Sequence, residues 1–200
     1  MKILGLTGQS GAGKTLFATE LVKKGYPCVN ADELYHTMLQ PPSLVLDAIR
    51  REFGDGVITE CGELDRRALA REVFSDKEKL SLLNATVLPI VANRIREIAK
   101  AEAEKGVSLL IVDAPTLFES GFYADCDLTV AFIAPAELRI MRIAERDGLS
   151  LEDATLRTKA QKSDEFYIER ADRIIINNGN ISDLSKKASD LLTELLGDKL

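Results

Sequence analysis

The chain of 200 residues has one histidine, three cysteines and no tryptophan, and each scarcity removes a class of function. With His36 alone and no CxxC or mixed Cys/His cluster, there is no ligand set for a zinc site. Cys28, Cys61 and Cys126 are odd in number and far apart, as expected of reduced thiols in a reducing compartment rather than a disulfide framework. No apolar run approaches the roughly 20 residues of a membrane span. The N-terminus enters a strand pattern directly, without a signal-peptide pattern, so a cytoplasmic location is expected. Basic residues do not exceed acidic ones. The net charge of −6 leaves no positive field for nucleic acid. An anionic ligand would have to be met by a local concentration of N–H groups, Lys and Arg.

What is present suits one compact α/β domain: 46% hydrophobic and 29% charged residues over a length that can bury a substantial core. Five short apolar runs read as strands: Lys2–Thr7, Tyr26–Asn30, Val107–Val112, Leu128–Ile133 and Arg173–Ile176. Val107–Val112 is nearly continuous in apolar residues, as a parallel strand buried on both faces requires. Helical patterns lie between them. Leu16, Phe17, Leu21 and Val22 form one stripe that Gly25 can stop, Ser43 and Asp65 can cap helices, and Ser75-Asp-Lys-Glu78 reads as a capping box. Pro89 fits near the first turn of a long helix ending at Gly106. A polar helical stretch runs from Ser150 through Arg170. Strands alternating with helices imply a doubly wound, mainly parallel sheet in one domain. Two stretches stand out as insertions, a helix-rich one at about 33–106 and a polar one at about 147–171.

Gly8-Gln9-Ser10-Gly11-Ala12-Gly13-Lys14-Thr15 matches G-x-x-x-x-G-K-[ST] at every specified position. Glycines let successive N–H groups turn inward onto phosphate oxygens, and the helix that follows adds its positive end. Lys14 can span the β- and γ-phosphates of a nucleoside triphosphate. Thr15 supplies the hydroxyl that ligates Mg²⁺, so a nucleoside triphosphate with Mg²⁺ is the expected donor. A chance glycine turn is the bland reading, and the strand before and amphipathic helix after argue against it. The motif is silent about the acceptor.

Asp32 falls just beyond the second strand, at the carboxyl edge where open α/β sheets bind ligands. Its carboxylate can deprotonate an attacking hydroxyl or simply cap the following helix. Asp113 ends the third apolar strand, the place of a carboxylate that reaches magnesium through water; a plain strand-end turn is the alternative. Arg66 and Arg67 offer paired guanidinium forks for an acceptor phosphate, or an ordinary solvated helix face. Arg139, Arg142 and Arg146 recur at helical spacing on one face. The polar stretch after them, with Arg157, Lys159, Lys162 and Arg170, has the composition of a lid that closes over triphosphate, or of solvated helices.

The ordered set of motifs resembles the dephospho-CoA kinase family over nearly the whole chain. It runs through the phosphate loop, Asn30-Ala-Asp32, Leu64-Asp-Arg-Arg-Ala-Leu69, Val73-Phe74, Leu83-Asn84, Asp113-Ala-Pro115 and Leu117-Phe-Glu119. It continues through Arg142 to Asp147, Arg157-Thr-Lys-Ala-Gln161, Ala171-Asp172 and Ile176-Asn-Asn-Gly179. The resemblance implies a three-layer P-loop fold with a helical acceptor-binding insertion and a lid. It also implies phosphorylation of the ribose 3′-hydroxyl of dephospho-CoA by ATP. By the same resemblance Asp32 is the base, with Lys14 and Arg142 catalytic beside it. Gly8 to Thr15, Arg142, Arg146, Asn177 and Gly179 fall to the nucleotide. Asp32, Arg66, Arg67, Asp113, Pro115, Leu117, Glu119 and Gln161 fall to the acceptor. A monomer with no nucleic-acid or membrane partner is expected. Three positions depart from the family pattern: Asn30 for an Asp, Leu88 for the His of a His-Pro pair, and Thr116 for a Leu. A kinase of the same fold acting on a nucleoside or nucleoside monophosphate is the rival reading. A nucleotide-dependent switch is another, although no Asn-Lys-x-Asp guanine-reading motif occurs.

Overall fold

The computed structural model describes residues 1–74, 76–178 and 181–197. Each apolar run forms a strand: β1 Lys2–Gly8, β2 Cys28–Asn30, β3 Leu109–Asp113, β4 Leu128–Ile133 and β5 Arg173–Ile176. All pair in parallel, in the order β2-β3-β1-β4-β5. Leu4 of the central β1 lies beside Ile111 of β3 on one side and Leu128 of β4 on the other. The connection from β1 runs to one edge and the later one from β3 crosses β1 to the other side, which opens a crevice at the carboxyl end of β1. The phosphate loop begins there.

Strand alternation sends β3 into two cores. Leu109 and Ile111 face α1 (Lys14–Lys23) and α9 (Ile181–Leu196), where Phe17, Leu21, Ala188 and Leu192 are buried. Leu110 and Val112 face the opposite layer with Ile49, Val91 and Ile95. That layer is built from α2 (Ala31–Met38), α3 (Leu44–Phe53), α4 (Arg66–Phe74) and α5 (Lys77–Glu104). Both faces of the sheet are thus covered, which is why the strand needs no polar residue until Asp113. Phe17 meets Phe132 of β4 edge-on, with centroids 5.0 Å apart, and fixes α1 beneath the loop it follows.

The caps read from sequence form at Ser43, whose hydroxyl accepts the Leu46 N–H at 3.0 Å, and at Asp65, which accepts from Arg67 and Ala68. Two expectations are corrected. Pro89 does not sit in a first turn: α5 begins at Lys77, capped by Asp76, and Pro89 lies inside it on the exposed side. There the carbonyl it leaves without an N–H partner can face water. The Ser75 of the anticipated capping box lies outside the described residues. The polar run after Ser150 is also not one helix but α7 (Leu151–Lys159) and α8 (Asp164–Ile168), following α6 (Ala136–Asp147). The break falls where the chain meets the phosphate loop: the Lys162 carbonyl accepts the Gln9 Nε2 amide at 3.2 Å instead of continuing a helix.

Candidate active site

The loop from Gly8 to Thr15 curls out of β1 and into α1, pinned at both ends. Gln9 N–H donates to the Phe132 carbonyl at 3.1 Å, and Ala12 N–H to the Gln9 carbonyl at 3.1 Å. Gly13, the residue before α1, has φ 97°, and a Cβ there would strike the Asn177 side-chain amide. Only glycine meets both conditions. Asn177 fills the space so gained, its Nδ2 donating to the Ala12 carbonyl at 2.8 Å. The first turn of α1 carries neither an acidic residue nor a side-chain cap, which leaves its positive end for an anion.

Lys14 and Asp113 form an ion pair beside this loop, with Asp113 only 2% exposed at the tip of β3. Burial pushes the Lys14 ammonium down to about 8, against the opposing pull of Asp32 and Cys28. Burial likewise pushes the Cys28 thiol up to about 11, a protonated and unreactive state at neutral pH. Asp32 is the second residue of α2 and exposed. It does not cap that helix. Asn30 does, its Oδ1 accepting from Asp32 N–H at 3.0 Å and Glu33 N–H at 3.1 Å. The cap holds the first turn of α2 at the strand edge and leaves the Asp32 carboxylate to the cavity.

Two of the three arginines of α6 reach the loop directly, and the third reaches it through Gln161. Arg139 is buried and donates to Gln161 Oε1 at 3.3 Å, Arg142 donates to the Gly11 carbonyl at 2.9 Å, and Arg146 to the Ser10 hydroxyl at 3.2 Å. Asp147 receives both Arg146, at 2.7 Å, and Arg157 of α7, at 2.7 Å. The Arg146 hydrogen bond, with the charges of Arg146 and Arg157, holds the Asp147 carboxyl below its ordinary range, and the shared carboxylate ties the end of α6 to α7. Arg157 thereby joins the site.

A cavity of about 940 Å³ unites these groups. It is lined by Gly8, Gln9, Ser10, Gly11, Gly13, Lys14 and Thr15 of the phosphate loop, by Asn30, Asp32, Asp113 and Pro115 at the strand ends, and by Arg142, Arg146, Arg157, Gln161 and Asn177. Among the described residues no three His, Cys, Asp or Glu side chains converge into a metal cage. Thr15 and Asp113 do offer hard oxygen donors on the cavity wall, a set that fits magnesium retaining phosphate and water ligands.

The structure separates several residues that the resemblance groups. Leu117 is corrected: it is fully buried, its methyls directly under Gly5 of β1, so it belongs to the core and cannot touch an acceptor. Gln161 lines the cavity against the phosphate loop, its Oε1 accepting the Ser10 N–H at 2.8 Å. Glu119 is exposed and does not line the cavity; its charge, second to burial, raises the Tyr167 hydroxyl to about 12. Arg66 and Arg67 stand exposed outside the cavity, Arg66 within 3.0 Å of His36 Nδ1. Gly179 lies outside the described residues.

The dephospho-CoA kinase family model matches residues 2–183 of this chain. The dephospho-CoA kinase of Fusobacterium nucleatum is 37% identical over 185 residues, 92% of this chain and 94% of the relative. The chain belongs to the dephospho-CoA kinase family. A crystal structure from Thermus thermophilus superposes with a TM-score of 0.77 at 35% identity, covering 97% of each chain. The dephospho-CoA kinase of Campylobacter jejuni superposes with a TM-score of 0.70 at 27% identity, covering 99% of this chain and all of that one. Membership makes this protein a kinase of the P-loop fold. Of the three departures from the dephospho-CoA kinase pattern, Asn30 is accounted for as the cap of α2. Leu88 is half-buried on α5, and Thr116 turns the chain after β3, its carbonyl accepting the Ser120 N–H at 2.9 Å.

Proposed function

We propose that this protein transfers the γ-phosphoryl group of ATP to the ribose 3′-hydroxyl of dephospho-CoA, giving coenzyme A and ADP. One observation carries the reading. The phosphate loop and Asp32 line one cavity, and the Asp32 charge reaches Lys14 of that loop, so a donor phosphate and an acceptor hydroxyl can be brought together there.

Loop N–H groups and the start of α1 hold the β- and γ-phosphates. Lys14 leaves Asp113 to follow charge onto the leaving oxygens, and Arg142, Arg146 and Arg157 close over the transferring group and exclude water. Asp32 orients the acceptor hydroxyl and takes its proton as the oxygen attacks. Thr15, with Asp113 through water, would hold the magnesium that neutralises phosphate charge during transfer. The arm of the acceptor beyond the cavity reaches Arg66 and Arg67 on α4, whose forks suit phosphate. Helices α2–α5 make up the acceptor-binding insertion, and α7 with α8 the lid. We further infer a cytoplasmic monomer; no described helix is long and apolar enough to cross a membrane.

A coupled ADP-release assay tests this directly, run with MgATP alone, with dephospho-CoA, and with nucleosides or nucleoside monophosphates. ADP release that depends on dephospho-CoA is expected. Release that ignores the acceptor, or that prefers a nucleoside, would overturn the assignment.

A further inference from the structure

Arg139 does not line the cavity, yet it carries a charge into the interior beside the loop. It is 6% exposed, and burial lowers its hold on the proton, against the pull of Asp164. Its Nη1 and the Ser10 N–H share one acceptor, Gln161 Oε1, at 3.3 and 2.8 Å. Asp164, the acidic group facing it, accepts the Gln9 Nε2 amide at 2.7 Å. Gly11 presses on the same helix turn, close enough that a Cβ there would stand 2.9 Å from the Arg139 carbonyl oxygen. Three consecutive loop residues are thus tied to one turn of α6 and to the 161–164 connection between the lid helices.

This network is not optimised for stability alone. Arg139 Nε and Gln9 Oε1, a donor and an acceptor, are buried without hydrogen-bond partners. An apolar plug of the same volume would avoid both penalties. A buried polar network does, however, impose one geometry on what it touches.

We propose that Arg139 is a positioning residue for the triphosphate. Acting through Gln161 it orients the Ser10 amide, and with the Asp164–Gln9 bond it holds the first half of the loop curled toward phosphate while fixing the base of the lid to it. The proposal rests on the reading of this loop as the ATP site.

The test uses the full chain and the variants Gln161→Met, Arg139→Met and Arg139→Lys, with direct titration of a fluorescent ATP analogue alongside steady-state kinetics. Losing the shared acceptor or the group that holds it should raise the analogue Kd and the ATP KM about 5- to 100-fold. The KM for dephospho-CoA should stay within about twofold, since uniform damage would move both. Arg139→Lys should recover most of the loss, and the Gln161→Met/Arg139→Met double variant should be no worse than the poorer single one. Gln161 is only half-buried, so its variant keeps the test open should Arg139→Met fail to fold. The proposal is overturned if both KM values rise together, if melting temperature falls while the Kd holds, or if lysine restores nothing. Wild-type protein that binds the analogue but ignores dephospho-CoA would sink the functional assignment and leave this role standing. Wild-type protein that does not bind it would overturn both.

Discussion

Replacing Asp113 by asparagine isolates the electrostatics of the site before any chemistry occurs. Asp113 is 2% exposed and its partner is the Lys14 ammonium. Removing one member of a buried ion pair commonly costs 3–5 kcal/mol, because the remaining charge keeps its desolvation penalty. Asparagine preserves the volume and an acceptor oxygen, which places the expected loss below that range. There is also a ceiling. Lys14 can escape by shedding its proton, and because burial already holds it at about 8, that escape costs only about 1–2 kcal/mol at pH 7 and caps the penalty of its stranded charge. For a chain of this size the loss corresponds to a fall in melting temperature of roughly 2–8 °C.

The same variant should change how the protein uses metal. When triphosphate draws Lys14 away, wild-type Asp113 is left buried and negative unless magnesium engages it. Metal-free ATP should therefore bind wild type poorly and Mg-ATP much better, whereas Asp113→Asn should bind the two more nearly alike. Calorimetric melting without ligand, with ATP and EDTA, and with Mg-ATP reads both effects. A variant that melts with wild type and keeps the full magnesium dependence would refute the reasoning.

Asp32→Asn should lower kcat about 10²–10⁴-fold, as loss of a positioned base does, with affinity for ATP unchanged in an analogue titration. Lys14 supplies a pH dependence. Its ammonium sits at about 8 in the free protein and is held protonated by bound triphosphate, so binding takes up a proton above that pH. Affinity should be flat below pH 7 and fall about tenfold between pH 7 and 9, with a matching buffer-dependent binding enthalpy in calorimetry; a flat profile would remove Lys14 from that role. Asn30→Ala should cost about 1 kcal/mol in denaturant unfolding through loss of the α2 cap, whereas Asn30→Asp should retain stability and turnover. If Asn30→Ala unfolds with wild type, the cap does not hold Asp32 in place.

What the sequence made legible is local. The phosphate loop could be read because its geometry is steric: Gly13 is forced by φ 97° and by the Asn177 amide, and the strand before and helix after are written in adjacent residues. The α6 arginines could be placed on one face because three- and four-residue spacing is a property of the helix alone. Their fates could not be ranked, since Arg139 turns into the interior while Arg146 stays half in solvent. That depends on what packs over them. Leu117 shows the same limit from the opposite direction. Four residues past a strand nothing local says which way a leucine faces, and the choice was made by Gly5, 112 positions earlier, whose missing side chain gives the methyls their room. The contacts between the loop and the 161–164 connection share that trait. Gln161 meets Ser10 across 151 positions and Asp164 meets Gln9 across 155, so their roles exist only once β1 and the lid are brought together by the sheet order. In this fold the phosphate-binding half of the site is encoded where it stands. The part that would set its precision is encoded at the other end of the chain, which is why a motif alone could identify the donor and not the residues that hold it in register.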